Sequence, residues 1–166
     1  MIYIMNGRKS VEEQNIAFKT KQGCFTYRVA AIILKDNKLL MAKHEDYPCY
    51  YTIGGKVRIN ETSEEAIIRE AYEETGIEFE IDKLSFIQER FFVIKGKHHH
   101  EIVFYYLLKE NTNINLYCRS FTDQGPKESL HWLPLESLNE TYIIPEFFKT
   151  KLLGTIVSIE HIVSKE

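Results

Sequence analysis

Six glutamates and two arginines crowd into one stretch, GGKVRINETSEEAIIREAYEETGI (Gly54 to Ile77), and five of these residues are spaced for chemistry: Glu61 first, then Arg69-Glu70 and Glu73-Glu74. At about 100° per residue, a helix through this stretch puts Glu70, Glu73 and Glu74 within an arc of about 120°, because positions i, i+3 and i+4 are surface neighbours. Like charges at that spacing weaken an isolated helix. They also fall in the last turn, where the helix dipole disfavours anions. A solvated acidic face is the ordinary meaning of a glutamate-rich helix. In this stretch the clustering opposes both local rules, and a divalent cation would reverse the penalty. Carboxylate oxygens are the ligands that hard Mg²⁺, or the more permissive Mn²⁺, prefers.

The element that must position these side chains has its own signals. Thr62 with Glu65 three residues later makes a capping box, which satisfies two exposed N–H groups at a helix start. Gly76 supplies a stop, since it takes the left-handed conformation without steric cost. Between them Ile67, Ile68, Ala71 and Tyr72 are expected to form the apolar side, with the glutamates on the other.

With these residues in view, the stretch resembles the Nudix box, G-x5-E-x7-R-E-U-x-E-E-x-G-U with U aliphatic. Gly55 matches the first glycine and Glu61 the first acid. Arg69-Glu70, Ala71, Glu73-Glu74, Gly76 and Ile77 fill the rest, with Ala71 small for its slot. The resemblance spans roughly Phe25 to Leu153. It implies one Nudix hydrolase domain over 1–166, an α/β fold in which an α/β/α sandwich surrounds a mixed β-sheet.

It also implies chemistry: Mg²⁺- or Mn²⁺-dependent hydrolysis of the diphosphate linkage in a nucleoside diphosphate derivative. Glu70, Glu73 and Glu74 are then the first metal ligands, with Glu74 the bridging one. The Gly55 carbonyl is a further ligand and Glu61 a supporting one, while Arg69 orients Glu73. Outside the box the resemblance calls for a general base, for which Glu101 is the candidate and Glu89 the rival. Gly54 and Gly55 let backbone approach the substrate, and Arg28 is a candidate phosphate contact because arginine forks onto phosphate. Ile53, Arg58 and Asn60 depart from common family forms of the loop, which leaves the particular substrate open. The alternatives are a nucleotide sensor that has lost turnover, and an isomerase acting on an isoprenoid diphosphate. The second needs a cysteine and acid pair for which Cys24, Cys49 and Cys118 offer no context.

Composition agrees with a single enzyme domain. The chain has 166 residues, 44% of them hydrophobic, enough for one real core. A net charge of −3 gives no electrostatic case for a nucleic-acid partner. No apolar run spans a bilayer and no leader pattern is evident, so a cytoplasmic protein with reduced thiols is expected, acting on small molecules, with a homodimer left open.

The remaining pattern is a succession of strands. CFTYRVAAIIL and KLLMAKH, joined by Lys35-Asp36-Asn37, read as a hairpin. DYPCYYTI reads as a turn and a short aromatic strand. IEFEI, LSFIQERFFVI, HEIVFYYLLK and Leu130 to Leu133 read as further strands. PLESL reads as a short helix, and a second helix is expected from Pro145 to about Leu153. Thr155 to Glu166 is a candidate terminal strand. The run His98-His99-His100 reads as a solvated turn, although imidazole also suits Zn or Ni.

Overall fold

A computed structural model describes residues 14–111 and 128–166. Three stretches read from the sequence lie wholly or mostly outside the described residues: MIYIM, compatible with a short strand, the polar run Glu110 to Pro126, which reads as a long loop, and Cys118. Among the described residues ten strands and two helices follow one another: β1 (Ala17–Lys19), β2 (Cys24–Ile32), β3 (Leu34–Lys35), β4 (Lys38–His44), β5 (Tyr50–Tyr51), α1 (Ser63–Thr75), β6 (Ile81–Ile94), β7 (Lys97–Leu108), β8 (Glu128–Pro134), β9 (Ile143–Ile144), α2 (Phe148–Lys151) and β10 (Glu160–Lys165). A 3₁₀ helix, Leu135–Glu140, lies between β8 and β9.

The main sheet has the order β1-β2-β7-β6-β10, with β2–β7 and β6–β10 parallel and the other pairs antiparallel. Its faces carry separate cores, because alternate side chains point to opposite sides. Val29, Ala31 and Tyr106 pack on one face with Ala66, Ile67 and Ala71 of α1. Ala30, Val103, Tyr105 and Phe86 pack on the other with Leu138, Phe148 and Leu152. The α/β/α sandwich around a mixed sheet is therefore present.

A second sheet, β3-β4-β5-β9 with β8 paired to β4, was not foreseen. It splits the CFTYRVAAIIL run: β2 stays in the main sheet, and the chain past Ile33 turns into the hairpin β3–β4 of the second. Asp36 and Asn37 both have positive φ, 48° and 60°. That is how the turn closes without glycine, Asn and Asp being the other residues that tolerate this region.

Three other expectations are corrected. Residues 77–80 form no strand, and Phe79 is buried against the α1 core instead. The second helix starts at Phe148, not Pro145, because the bonds from Phe148, Lys149 and Thr150 reach back only three residues. The histidine run is no turn. It lies in β7, with His99 stacked on Phe92 and His100 on Phe91. No helix among the described residues is long and apolar enough to cross a membrane.

Candidate active site

Helix α1 begins with the capping box that the spacing calls for. The Glu65 N–H donates to the Thr62 hydroxyl at 3.1 Å, and the Thr62 N–H donates to the Glu65 carboxylate at 2.8 Å. The helix ends at Gly76, in the left-handed region with φ 70°, whose N–H donates to the Tyr72 carbonyl. These local devices leave the three glutamates in the last two turns.

The rotation of α1 differs from expectation. Its buried strip is Ala66, Ile67, Ala71 and Thr75, while Tyr72 is 53% exposed. Glu70 and Glu74 therefore flank the buried strip rather than face away from it, and only Glu73 turns outward. The reason is the backbone of residues 53–57, which lies along the edge of β2. Ala31 N–H donates to the Ile53 carbonyl, Val29 N–H to Gly55 and Val57 N–H to Tyr27.

Two glycines make that approach sterically feasible. A Cβ on Gly54, whose φ is 144°, would sit 2.2 Å from the Val29 carbonyl oxygen. A Cβ on Gly55 would sit 2.3 Å from the Glu70 carboxylate. The Gly54 N–H donates to Glu74 Oε1 at 2.8 Å. The double glycine thus holds two of the three helix carboxylates against backbone.

Arg69 organises the acids. Its Nε and one terminal nitrogen fork onto the two Glu61 oxygens at 2.6 and 2.9 Å. The other terminal nitrogen donates to Glu70 at 2.7 Å and to Glu73 at 3.3 Å. The expected Arg69–Glu73 pair is present, and it is the longest of the set. Arg58 also stands 3.6 Å from Glu73. The Arg69 fork holds the Glu61 carboxyl below the usual carboxylate range, helped by the Arg58 N–H, while burial opposes it. Hydrogen bonding to Glu61 and Glu70 pushes the Arg69 guanidinium up against its own burial. Glu74 behaves in the opposite way. Burial pushes its carboxyl up to about 8, with Glu70 and Glu128 adding and the Gly54 N–H and Arg28 opposing.

Beside this cluster, on the α2 face of the main sheet, opens a cleft of about 600 Å³ whose walls include Arg28, Tyr51, Arg90, Glu101, Tyr105 and Glu128. The helix glutamates are not among its walls. Of the three, Glu74 is coupled to it through the charges of Arg28 and Glu128. Glu101 lies on β7, 3.8 Å from Arg90. Glu89 points to the opposite face of the sheet, where it meets His161 Nε2 at 2.8 Å. The structure thus brings Arg28 and Glu101 to one cleft and removes Glu89 from it.

Sequence reasoning missed three members of this cleft. Arg90 forks onto Glu166 at 3.0 and 2.6 Å and lies over the Phe92 ring. Tyr51 donates to Glu128, and burial, followed by that bond, raises its phenol well above the usual range. Strand parity alone could have flagged Arg90 once Glu89 was considered, since neighbours on a strand face opposite ways. Nothing local marks Glu128.

Whether these residues suit a hard divalent cation can be tested on the donors themselves. Among the described residues no three His, Cys, Asp or Glu side chains already form a ligand cluster. The donor set nevertheless fits in kind. Glu70 rests against a notch that only glycine leaves open, and Glu74 lies beside it on the same helix flank. The Gly55 carbonyl accepts one bond, from Val29, and keeps a second lone pair.

Comparison with known proteins gives a consistent result. A curated ADP-ribose pyrophosphatase of Methanocaldococcus jannaschii is 48% identical over 52 residues, 30% of this chain and 31% of that one. A MutT-like protein of Streptomyces ambofaciens is 36% identical over 58 residues, 34% of this chain and 38% of that one. The chain thus spans only about a third of the curated relatives it matches. Among solved structures, a MutT protein from Bacillus halodurans superposes with a TM-score of 0.60 at 18% identity, covering 84% of this chain and 90% of that one. A NUDIX-family hydrolase from Clostridium perfringens does so with 0.55 at 22% identity, covering 78% and 98%. These likenesses speak to the fold. The NUDIX domain model matches residues 25–150, most of the chain, and this protein belongs to that family.

Proposed function

We propose that the chain is a hydrolase that cleaves the diphosphate linkage of a nucleoside diphosphate derivative, with Mg²⁺ or Mn²⁺ held beside α1. The observation that carries this is the Arg69 hub, which gathers Glu61, Glu70 and Glu73 while Gly54 holds Glu74. Arg69 offsets the repulsion among the first three, and the cost that remains, the buried charge of Glu74, is explained if a cation joins the cluster. When bound, the cation supplies positive charge to the diphosphate oxygens and lowers the pKa of a water.

The protein's own groups have separate tasks. Glu70, Glu73, Glu74 and the Gly55 carbonyl are the ligands, Glu61 is a supporting acid, and Arg69 orients the set. Arg28 stands where it can fork onto a phosphate in the cleft. Glu101 takes the proton of the attacking water. A new P–O bond forms to that water, the bridging P–O bond breaks, and a nucleoside monophosphate and a phosphorylated group leave. Holding these groups in place accounts for most of the rate gain expected of such a site.

The name of the archaeal relative puts ADP-ribose first among substrates to try. The test is a panel of nucleoside diphosphate derivatives with Mg²⁺ or Mn²⁺, products identified by mass. Release of a nucleoside monophosphate from at least one member is expected. Tight nucleotide binding by calorimetry with no product over hours would instead identify a sensor.

A further inference from the structure

The overall charge is −3, yet the fold gathers positive charge at one end of the main sheet. The β1–β2 turn carries Lys19 and Lys21, the β6–β7 turn carries Lys95 and Lys97, and β10 ends with Lys165; all five are exposed. The parallel register of β2 and β7, which pairs Cys24 with His99, brings the two turns to the same end. Lysine ion pairs between described residues are those of Lys109, Lys149 and Lys151, so none of these five is neutralised by a described acid. The acid at this end, Glu166, is already forked by Arg90.

The same end carries a row of rings. Register places Phe18, Phe25, His100 and Phe91 side by side on β1, β2, β7 and β6, with Lys165 next on β10. The rings touch in sequence: Phe18 stacks on Phe25 at 5.2 Å, Phe25 meets His100 edge-on at 5.5 Å, and His100 stacks on Phe91 at 4.3 Å. None of the four belongs to either core cluster, and Phe18 is 56% exposed. A hollow of about 410 Å³ opens beside them, between Thr20, Phe25, Phe91, His98, His100 and Lys165. The His100 Nε2 is covered yet has no hydrogen-bond partner among the described residues.

From this we infer that the lysine-rimmed aromatic row at this end of the main sheet is a binding surface for single-stranded nucleic acid. Phe18, exposed at the outer end of the row and backed by the rings stacked behind it, offers a face to a base of any sequence, and lysines at the rim meet phosphates. At roughly 4.8 Å between strands, four ring-bearing strands span roughly 14 Å, wider than one base, which favours a chain over a mononucleotide. The surface is separate from the proposed hydrolytic site and does not depend on it, although Phe92, Val93 and Glu166 line both hollows.

The test is fluorescence anisotropy of a labelled single-stranded oligonucleotide of about ten residues, read across salt concentrations. Wild type is expected to bind with a salt-dependent Kd. The double variant Lys95→Glu with Lys97→Glu should weaken binding at least about tenfold and lower the log–log salt slope by roughly 0.7 per lysine. Phe18→Ala, at an exposed position that spares the fold, should weaken binding about tenfold with the slope unchanged. Hydrolysis of a small diphosphate substrate should not change in either variant. Absence of binding at low salt by folded wild type overturns the inference. So does binding equally tight to inorganic polyphosphate, which has the charge without the bases, or binding indifferent to both variants.

Discussion

The acids beside α1 and the Glu101 wall of the cleft are built in opposite ways. The first set is tied by short bonds between residues near in sequence: Arg69 to Glu61 at 2.6 Å, Arg69 to Glu70 at 2.7 Å, Gly54 to Glu74 at 2.8 Å. The second is collected from β2, β5, β6, β7 and β8, and its central pair, Arg90 and Glu101, stands at 3.8 Å. A dense local set suits ligands that must hold a doubly charged ion at fixed distances. Tyr51 and Glu128, and Arg90 and Glu166, are joined by bonds as short as those of the first set, so only Glu101 is loosely held, which suits a group that meets a water and a variable substrate. On the proposed reading the difference gives rigidity to the metal ligands and latitude to Glu101, and each assignment can be broken.

The largest effect is expected from Glu74→Gln, which keeps the Gly54 bond but removes a charge. It should cost on the order of 10³-fold in kcat with the melting temperature preserved. Glu73→Gln should cost less, because Glu73 is 48% exposed and its bond to Arg69 is the longest of the hub. Equal activity of folded Glu74→Gln and wild type on the best substrate would remove the metal assignment altogether.

Next comes the cleft. Glu101→Gln should lower kcat about 10²-fold with the melting temperature preserved, the scale of a lost general base. Glu89→Gln, on the far face with His161, should leave kcat unchanged. A reversed result would move the base out of the cleft.

Gly55→Ala separates local rigidity from fold. The added Cβ meets only the end of the flexible Glu70 side chain, whereas at Gly54 it would meet the Val29 carbonyl. Gly55→Ala should therefore keep the wild-type melting temperature while weakening Mn²⁺ binding roughly tenfold by calorimetry, the scale of a displaced ligand support. Gly54→Ala should unfold at clearly lower temperature.

The smallest effect is on stability against pH without metal. The Glu74 carboxyl is raised from 4.5 to about 8 in the folded chain, so folding favours its protonated form. That contribution is full below pH 4.5 and is lost as pH rises through about 8. Melts in chelator should show the metal-free protein weakening over that window, and Glu74→Gln should remove the slope. Added Mg²⁺ should restore stability at the alkaline end for wild type alone. A flat wild-type profile would mean that Glu74 is not held in a charge-averse place.

How much of this was legible depends on how far apart the partners lie. Thr62, Glu65 and Gly76 announce the ends of α1, because capping is settled within a few residues. The pairing of Arg69 with Glu73 follows from helix geometry in the same way. The inward turn of Glu70 and Glu74, the exposure of Tyr72 and the shortening of α2 were not legible. Each depends on which surface packs against the element, and that surface comes from elsewhere in the chain.

The sequence by itself determined α1, its caps, the spacing of its acids, and the apolar runs that make β6 and β7 strands. All of these arise from interactions over fewer than about five residues, where backbone periodicity does the sorting. Only the tertiary structure decided that Glu101 and Arg28 share a cleft, that Glu89 does not, and that five lysines of an acidic chain meet at one end of a sheet. Strand register fixes those relations, and register is set by cross-strand packing between segments tens of residues apart, which no local pattern records.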